Sequence, residues 1–354
     1  FDKNKRNPIL LKAKSYNNIQ LLGLMSGTSL DGLDIEHVSF DLSNSVNADF
    51  KLLSYETYPL PRPIFEQLFD IFSLSAQQVF ELDQQLAYFY AKCVNDFIND
   101  FGIKRQEITA IASHGQTIFH QPQKGFTTQI GCGATLNYLT KIPVINQFRT
   151  LDVSAVGQGA PLVPIGDKHL FSKYADGFLN LGGFANISTQ QNGQALAFDI
   201  APANLPMNRW MQIVGKSFDE NGELARSGSV DAEVFQKAIN LAFFQQKGPK
   251  SLGTEWLDKN YLPLFEVLAL PDKLRTHIEV LKTLCIREFE RLDLKTVYVT
   301  GGGAHNQFLI EALQQSFSGK LIIPEPALID YKEALIFAFL GARYLRNETT
   351  TLCE

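Results

Sequence analysis

The chain has 354 residues, 45% of them hydrophobic and 19% charged, with a formal net charge of -5. A single core stops growing at roughly 250 to 300 residues, so two domains are expected, and the composition is that of a globular protein rather than a disordered or fibrous one. A mildly acidic chain has no general attraction for nucleic acid or anionic lipid, so any anionic ligand must be held locally.

Residues 1–18 carry Lys3, Lys5, Arg6, Lys12 and Lys14 without a long apolar run and a small-residue cleavage site, and they read as an N-terminal extension rather than a signal peptide. An apolar strand is expected at 19–25. It ends in the loop Ser26-Gly27-Thr28-Ser29-Leu30-Asp31-Gly32 and resumes as a second strand at 35–42, a hairpin with a functional tip. Ser75 and Gln78 form a capping-box pattern ahead of a long amphipathic helix, whose stripe runs from Val79 through Leu86, Tyr90 and Val94 to Phe101. A short buried strand at 108–113 then delivers Ser113-His114-Gly115-Gln116-Thr117 at its C-terminal end, where open α/β sheets place their ligands.

A glycine- and proline-punctuated region at 129–164 contains a strand at 142–145 and the loop Val156-Gly157-Gln158-Gly159-Ala160-Pro161. The second half repeats the style of the first: a strand at 177–181, the turn Gly182-Gly183, a strand at 184–189, and a short strand at 196–199 ending in Asp199. Helices are expected at 232–244 and 273–292, a β-branched strand at 296–300 leading into Gly301-Gly302-Gly303, and a last helix at 332–346 with Glu333 near its positive end. Helices alternating with strands make the class α/β, and the two similar halves indicate a duplicated architecture.

The four cysteines lie far apart with no C-x-x-C pair, and the six histidines form no H-E-x-x-H or H-x-H pattern. That usage fits free thiols in a reducing cytoplasm and gives no support to a transition-metal site. The longest apolar stretch, 334–342, falls short of the roughly 18 to 20 residues of a membrane span.

Three glycine turns, at Gly27, at Gly182-Gly183 and at Gly301-Gly302-Gly303, each follow an apolar strand. Glycine lets backbone N–H groups approach phosphate oxygens, although each turn alone is an ordinary tight turn more often than a phosphate cradle. None is a P-loop or a dinucleotide fingerprint. Asp31, Asp34 and Asp199 adjoin such turns and supply carboxylates of the kind phosphoryl transfer needs, for Mg²⁺ and for accepting a proton. A glycine-turn aspartate is also a common Asx cap, and that reading stays open for Asp31 and Asp34.

The string G-L-M-S-G-T-S-L-D-G-L-D at 23–34 resembles the signature of the anhydro-N-acetylmuramic acid kinases. It is followed in order by S-H-G-Q-T-I at 113–118, G-Q-G-A-P-L-V-P at 157–164, N-L-G-G-F-A-N at 180–186, F-D at 198–199, G-P-K-S at 248–251 and G-G-G-A-x-N at 301–306. The resemblance implies a two-domain actin-like ATPase fold, a duplicated ribonuclease H-like pattern with mixed sheets and an interdomain cleft. Domain I is expected at 19–135 with 330–354, and domain II at 136–329. It also implies the cofactors ATP and Mg²⁺ and a small anhydro-amino-sugar substrate, in the cytoplasm, as a step of peptidoglycan recycling, with a homodimer left open.

By position, the resemblance makes Asp199 the catalytic base. Ser26, Gly27, Thr28, Ser29, Leu30, Asp31, Gly32 and Leu33 would cradle the phosphates, with Asp31 at the metal. Gly182, Gly183, Gly301, Gly302 and Gly303 would lie toward the nucleotide, and Gln116, Thr117, Arg149 and Glu333 toward the sugar. For His114, contact with ligand and a purely structural role remain alternatives.

The chain departs from the family pattern in having Ala201-Pro202-Ala203-Asn204 where G-P-G-N is usual, and Gln147 and Asn208 where carboxylates are usual. An alanine where glycine used positive φ or approached phosphate would strain the turn or crowd the ligand. Two alternatives follow: a relative that binds nucleotide or sugar without turnover, and a glycoside hydrolase using two carboxylates such as Asp31 and Asp199.

Overall fold

The computed structural model describes residues 17–27, 30–44, 48–155, 157, 159, 162–191, 194–248 and 250–350. Nearly all of the N-terminal extension, Thr28 and Ser29 of the hairpin tip, Val156, Gln158, Ala160 and Pro161 of the following loop, and Pro249 lie outside the described residues. The chain forms two compact units: unit 1 runs to Leu170 and resumes at Tyr331, and unit 2 is Phe171–Asp330.

In unit 1 the strands are β1 (Asn18–Ser26), β2 (Leu33–Asp41), β3 (Asp49–Tyr58), β4 (Ala110–Gln121), β5 (Phe126–Ile130) and β6 (Val144–Ile145). β1, β2 and β3 form an antiparallel meander, and β4 lies parallel to β1 on its other side. The first half of β4 pairs in parallel with β6, and its second half pairs antiparallel with β5. The apolar residues of β1 serve both faces. Leu22 and Leu24 pack with Leu86, Tyr90 and Val94 of the helix Ala76–Asp100. Gly23 lies against Ala334 and Ala338 of the helix Lys332–Leu345, and a methyl at position 23 would collide with the Ala334 carbonyl. The long helix starts where its capping box directs, Ser75 Oγ accepting from Gln78 N and Ser75 N donating to Gln78 Oε1.

In unit 2 the strands are β7 (Gly177–Leu181), β8 (Phe184–Gln191), β9 (Gln194–Pro202), β10 (Thr296–Thr300) and β11 (Lys320–Ile322), ordered β11-β10-β7-β8-β9. β7, β8 and β9 are an antiparallel meander, and β10 runs parallel to β7 and to β11. The helix Leu270–Arg291 contributes Leu274, Ile278, Leu281, Cys285 and Phe289 to the core of this unit. Both units therefore repeat one plan: three strands back and forth, then two parallel strands on the far side of the first. This is the duplicated ribonuclease H-like pattern of the actin-like ATPases, in an α/β chain with two mixed sheets.

Three expectations change. The first unit extends to Leu170 rather than ending at 135, because β6 pairs with β4 and Gly166 packs against Ile336 of the last helix. The S-H-G-Q-T motif lies inside β4, not beyond its end. Gly115 has φ +74 at a register shift between the Leu24–Ser113 and Ser26–Gln116 pairs, a bulge that carries the strand on to Gln121. The helix expected at 232–244 is two, Ala232–Ile239 and Ala242–Gln245, interrupted at Asn240 and Leu241.

Candidate active site

In unit 1 the hairpin between β1 and β2 is braced from beneath. Ser26 Oγ donates to Gln116 Oε1 at 2.6 Å, and Gln116 Nε2 donates to the Gly27 carbonyl at 3.1 Å. The β4 bulge turns Gln116 toward the hairpin, and the side chain is 1% exposed, so both ends of its amide serve the hairpin rather than facing a sugar. Leu30 sits at φ +59, and its N–H bonds the Gly27 carbonyl at 3.3 Å. Gly32 is required sterically, because a Cβ there would come within 2.7 Å of the Tyr58 carbonyl oxygen. Leu33 opens β2 with its side chain in the hydrophobic core, which leaves only its backbone for a ligand. Asp31 is exposed, whereas Asp34 accepts from Thr57 Oγ1 at 2.7 Å, and Thr57 in turn meets Tyr331 Oη at 3.0 Å.

A second polar group forms around the start of the last helix. Arg149 Nε donates to His114 Nε2 at 2.8 Å, and Arg149 Nη1 donates to the Gly159 carbonyl at 2.7 Å. Burial raises the Glu333 carboxyl above its ordinary value, Arg149 and Lys332 pull it back, and Asp31 pushes it up again. The residue nevertheless keeps solvent access, so it sits in a recess rather than in a packed interior. Glu333 is thus within electrostatic reach of both Arg149 and Asp31. Thr117 stands apart from them, its Oγ1 accepting from Gln129 Nε2 at 3.2 Å. Lys332 is paired at 2.8 Å with Asp167, both side chains buried.

Sequence reasoning left His114 undecided. It is buried, its ring centroid lies 4.6 Å from that of Phe337, and burial together with Arg149 lowers its pKa to about 3. It is therefore neutral. A donor already faces Nε2, so the proton sits on Nδ1, which has no hydrogen-bond partner among the described residues.

In unit 2 the two glycine turns lie side by side, because β7 and β10 are neighbours with Asn180 opposite Thr300. Asn204 ties them together: its N–H bonds the Gly182 carbonyl at 3.0 Å, its Nδ2 donates to the Leu181 carbonyl at 2.8 Å, and its Oδ1 lies where a Cβ on Gly303 would approach to 2.9 Å. The preceding Ala203 is fixed by its N–H to the Gly183 carbonyl and by His277 Nε2 donating to its own carbonyl at 2.8 Å. His277 is itself completed by Tyr261 Oη at Nδ1, 2.8 Å away. Ala201 and Ala203 are both wholly buried in the core of the unit, Ala203 has φ -123, and Ala201 is not among the positive-φ residues. Neither alanine adopts the positive φ that would have demanded glycine, and both methyls lie in the core.

Asp199, on β9, is half-buried. Its Oδ2 accepts from Leu252 N at 2.8 Å and from Ser251 Oγ at 3.2 Å, and its own N–H bonds the Lys250 carbonyl at 2.9 Å. Among the described residues Oδ1 accepts no hydrogen bond. Burial pushes the carboxyl above the ordinary Asp value, and the Leu252 N–H and Ser251 hydroxyl draw it partly back. The segment that clamps it is brought in by Gly248, whose missing side chain makes room for the Phe198 ring, 2.6 Å from where a Cβ would stand. The G-P-K-S motif is visible in the sequence, but a role for Ser251 is not. A serine and a backbone donor so far along the chain from Asp199 leave no local signal.

Among the described residues no three His, Cys, Asp or Glu side chains converge to hold a metal. Mg²⁺ does not need such a cage, since one or two carboxylates with phosphate oxygens and water suffice, and the exposed hard oxygens of Asp31 fit that role.

Paired units of this topology, each with a glycine turn after its first strand, are the plan of the actin-like ATPases and sugar kinases. The family model for anhydro-N-acetylmuramic acid kinase matches residues 19–352. The anhydro-N-acetylmuramic acid kinase of Paraburkholderia xenovorans is 35% identical over 346 residues, covering 91% of this chain and 90% of that protein. The proteins of the same name from Pseudomonas savastanoi and Haemophilus influenzae are each 34% identical, covering 90% and 92% of this chain and 91% of each relative. The chain belongs to the anhydro-N-acetylmuramic acid kinase family. Among solved structures it is similar to component A of the Acidaminococcus fermentans (R)-2-hydroxyglutaryl-CoA dehydratase, with a TM-score of 0.49 and 11% identity over 92% of this chain and 99% of that one. It is also similar to the ROK hexokinase of Thermus thermophilus, with a TM-score of 0.41 and 16% identity over 92% of this chain and all of that one.

Proposed function

We propose that the chain is an ATP-dependent carbohydrate kinase that opens the 1,6-anhydro ring of anhydro-N-acetylmuramic acid with water and phosphorylates O6, giving N-acetylmuramic acid 6-phosphate for peptidoglycan recycling. The observation that carries this reading is the posture of Asp199, with Oδ2 clamped by Ser251 and Leu252 and Oδ1 left to take a proton. A water bonding to the anomeric carbon must lose that proton as the bond from carbon to O6 breaks. The freed O6 then takes the γ-phosphoryl, and ADP leaves. Burial keeps Asp199 more basic than a solvated aspartate, which suits a proton acceptor.

The backbone of the Ser26 to Leu33 hairpin and of Gly182, Gly183 and Gly301 to Gly303 would position the phosphates. Asp31 would hold Mg²⁺, which when bound shields the phosphate oxygens from the incoming O6. Arg149 and Glu333 would meet the sugar, with the guanidinium on its lactyl carboxylate. Gln116 supports the hairpin from below. Among the described residues no helix is long and apolar enough to cross a membrane. A cytoplasmic location belongs to the same reading, and a homodimer is its open assembly state, measurable by light scattering.

Purified protein is expected to release ADP only when ATP, Mg²⁺ and the anhydro-sugar are all supplied. Asp199→Asn should lower kcat by roughly 10²- to 10⁴-fold while sugar and ATP still bind. Full activity in that variant refutes the assignment of the base. Consumption of the sugar without ATP would identify a glycosidase instead. The non-catalytic alternative rests on the A-P-A-N turn and on Gln147 and Asn208 in place of carboxylates; the alanines are buried in the core, and binding of sugar and ATP without ADP release would favour that alternative.

A further inference from the structure

Of the three buried histidines among the described residues, His277 and His114 are satisfied in different ways. His277 accepts from Tyr261 at one nitrogen and donates to the Ala203 carbonyl at the other, as a structural histidine does. His114 accepts from Arg149 at Nε2, whereas its Nδ1 lies near backbone of Ser26 and Gly115 without a well-formed hydrogen bond among the described residues. An apolar ring of similar size could pack on Phe337, but it would offer the Arg149 guanidinium no acceptor. The histidine is therefore accounted for by what it does to the arginine.

We propose that His114 is a positioning residue for the sugar, acting through Arg149: it orients the guanidinium so that the edge turned away from His114 meets the anionic group of the substrate. This rests on the reading of Arg149 given above. With Nε held by His114 and Nη1 held by the Gly159 carbonyl, the guanidinium plane is fixed at two points. Nη2 is the nitrogen those two bonds leave over. An arginine already fixed in plane loses less side-chain entropy when it binds a carboxylate, and a neutral acceptor does this without adding a second positive charge beside it. A protonated imidazole would repel the guanidinium, and burial together with Arg149 holds His114 neutral throughout the working range.

The test uses the full chain in two measurements. Nitrogen-15 NMR of the ligand-free wild type should show His114 as the Nδ1–H tautomer, unchanged from pH 6 to 8. Kinetics with the anhydro-sugar should show His114→Leu raising the sugar KM on the order of tenfold, with kcat within about twofold and the ATP KM unchanged. His114→Gln, which restores an acceptor, should recover much of the loss. An Nε2–H tautomer overturns the proposal. So does a KM that His114→Leu leaves alone, a Gln variant no better than Leu, or a fall in kcat with KM unmoved. Absence of turnover in the wild type would overturn the functional reading, whereas the tautomer still decides the contact with Arg149.

Discussion

Gly301 and Gly182 look alike in sequence, yet the structure makes them unequal. Gly301 has φ +81 and ψ 159, a region open essentially to glycine alone, and occupying it with another residue costs of order 1–3 kcal/mol. A Cβ there would lie 2.5 Å from Asn180 Oδ1, 2.8 Å from the Leu181 carbonyl carbon and 2.9 Å from its oxygen. Two of those neighbours are backbone, so relief requires moving β7, which adds about 1–3 kcal/mol of overpacking. Gly301→Ala should therefore destabilise unit 2 by about 2–6 kcal/mol. For a unit of this size, even the lower figure moves Tm down by about 4–8 °C. At Gly182 the nearest atoms to a Cβ are 3.4 and 3.6 Å away, and at Gly183 the nearest is 3.6 Å, which are ordinary contacts. Gly182→Ala and Gly183→Ala should leave Tm within about 2 °C while raising the ATP KM severalfold. Thermal unfolding followed by circular dichroism, with urea titration as a second probe, separates the two cases. A Gly301→Ala protein that unfolds with the wild type would refute the steric reasoning, and an unchanged ATP KM in both other variants would remove those glycines from the nucleotide site.

Further outcomes follow from the same geometry. The Ser251 hydroxyl stabilises the ionised form of Asp199, so Ser251→Ala should raise that pKa further and move the acid limb of the kcat profile to higher pH; a limb that stays put would show that another group titrates there. Asp167→Asn leaves Lys332 buried without its counter-ion and should cost about 3–5 kcal/mol in urea unfolding, much of it recovered by Asp167→Leu with Lys332→Met. Restoring glycine at Ala201 or Ala203 should lower stability by about 1 kcal/mol without raising turnover, as measured by unfolding and ADP release. Glu36 is buried with neither carboxyl oxygen hydrogen-bonded among the described residues, and burial and Asp34 raise its pKa. The native state therefore favours its protonated form, and stability is lost as pH rises above the ordinary glutamate value. Glu36→Gln should stabilise the protein at pH 7, by an amount that shrinks as pH falls toward 4.5.

Elements with a strong local pattern were readable from sequence. β7 and β10 have the expected bounds, and the helix Ala76–Asp100 begins at its capping box. β3 gave no signal because it is an edge strand with a single buried residue, Ser54, and so lacks hydrophobic alternation. β4 was cut short because Gly115 reads as a turn, whereas pairing with β5 carries the chain through it. At the site, the carboxylates and glycines could be nominated by residue type. Their partners could not: Ser251 on Asp199, Gln116 on Gly27 and Arg149 on His114 are contacts between distant segments, and nothing in a local pattern specifies them.

Unit 2 is one uninterrupted stretch, while unit 1 closes only when Lys332–Leu345 seats against Gly23. On the ribosome, the strands that await that helix must remain uncovered while the intervening 171–330 are made, roughly 8–30 s at ordinary elongation rates. The second half of the protein can reach its native state during synthesis. The first half, although born earlier, finishes last, and for that interval its sheet keeps an apolar face uncovered.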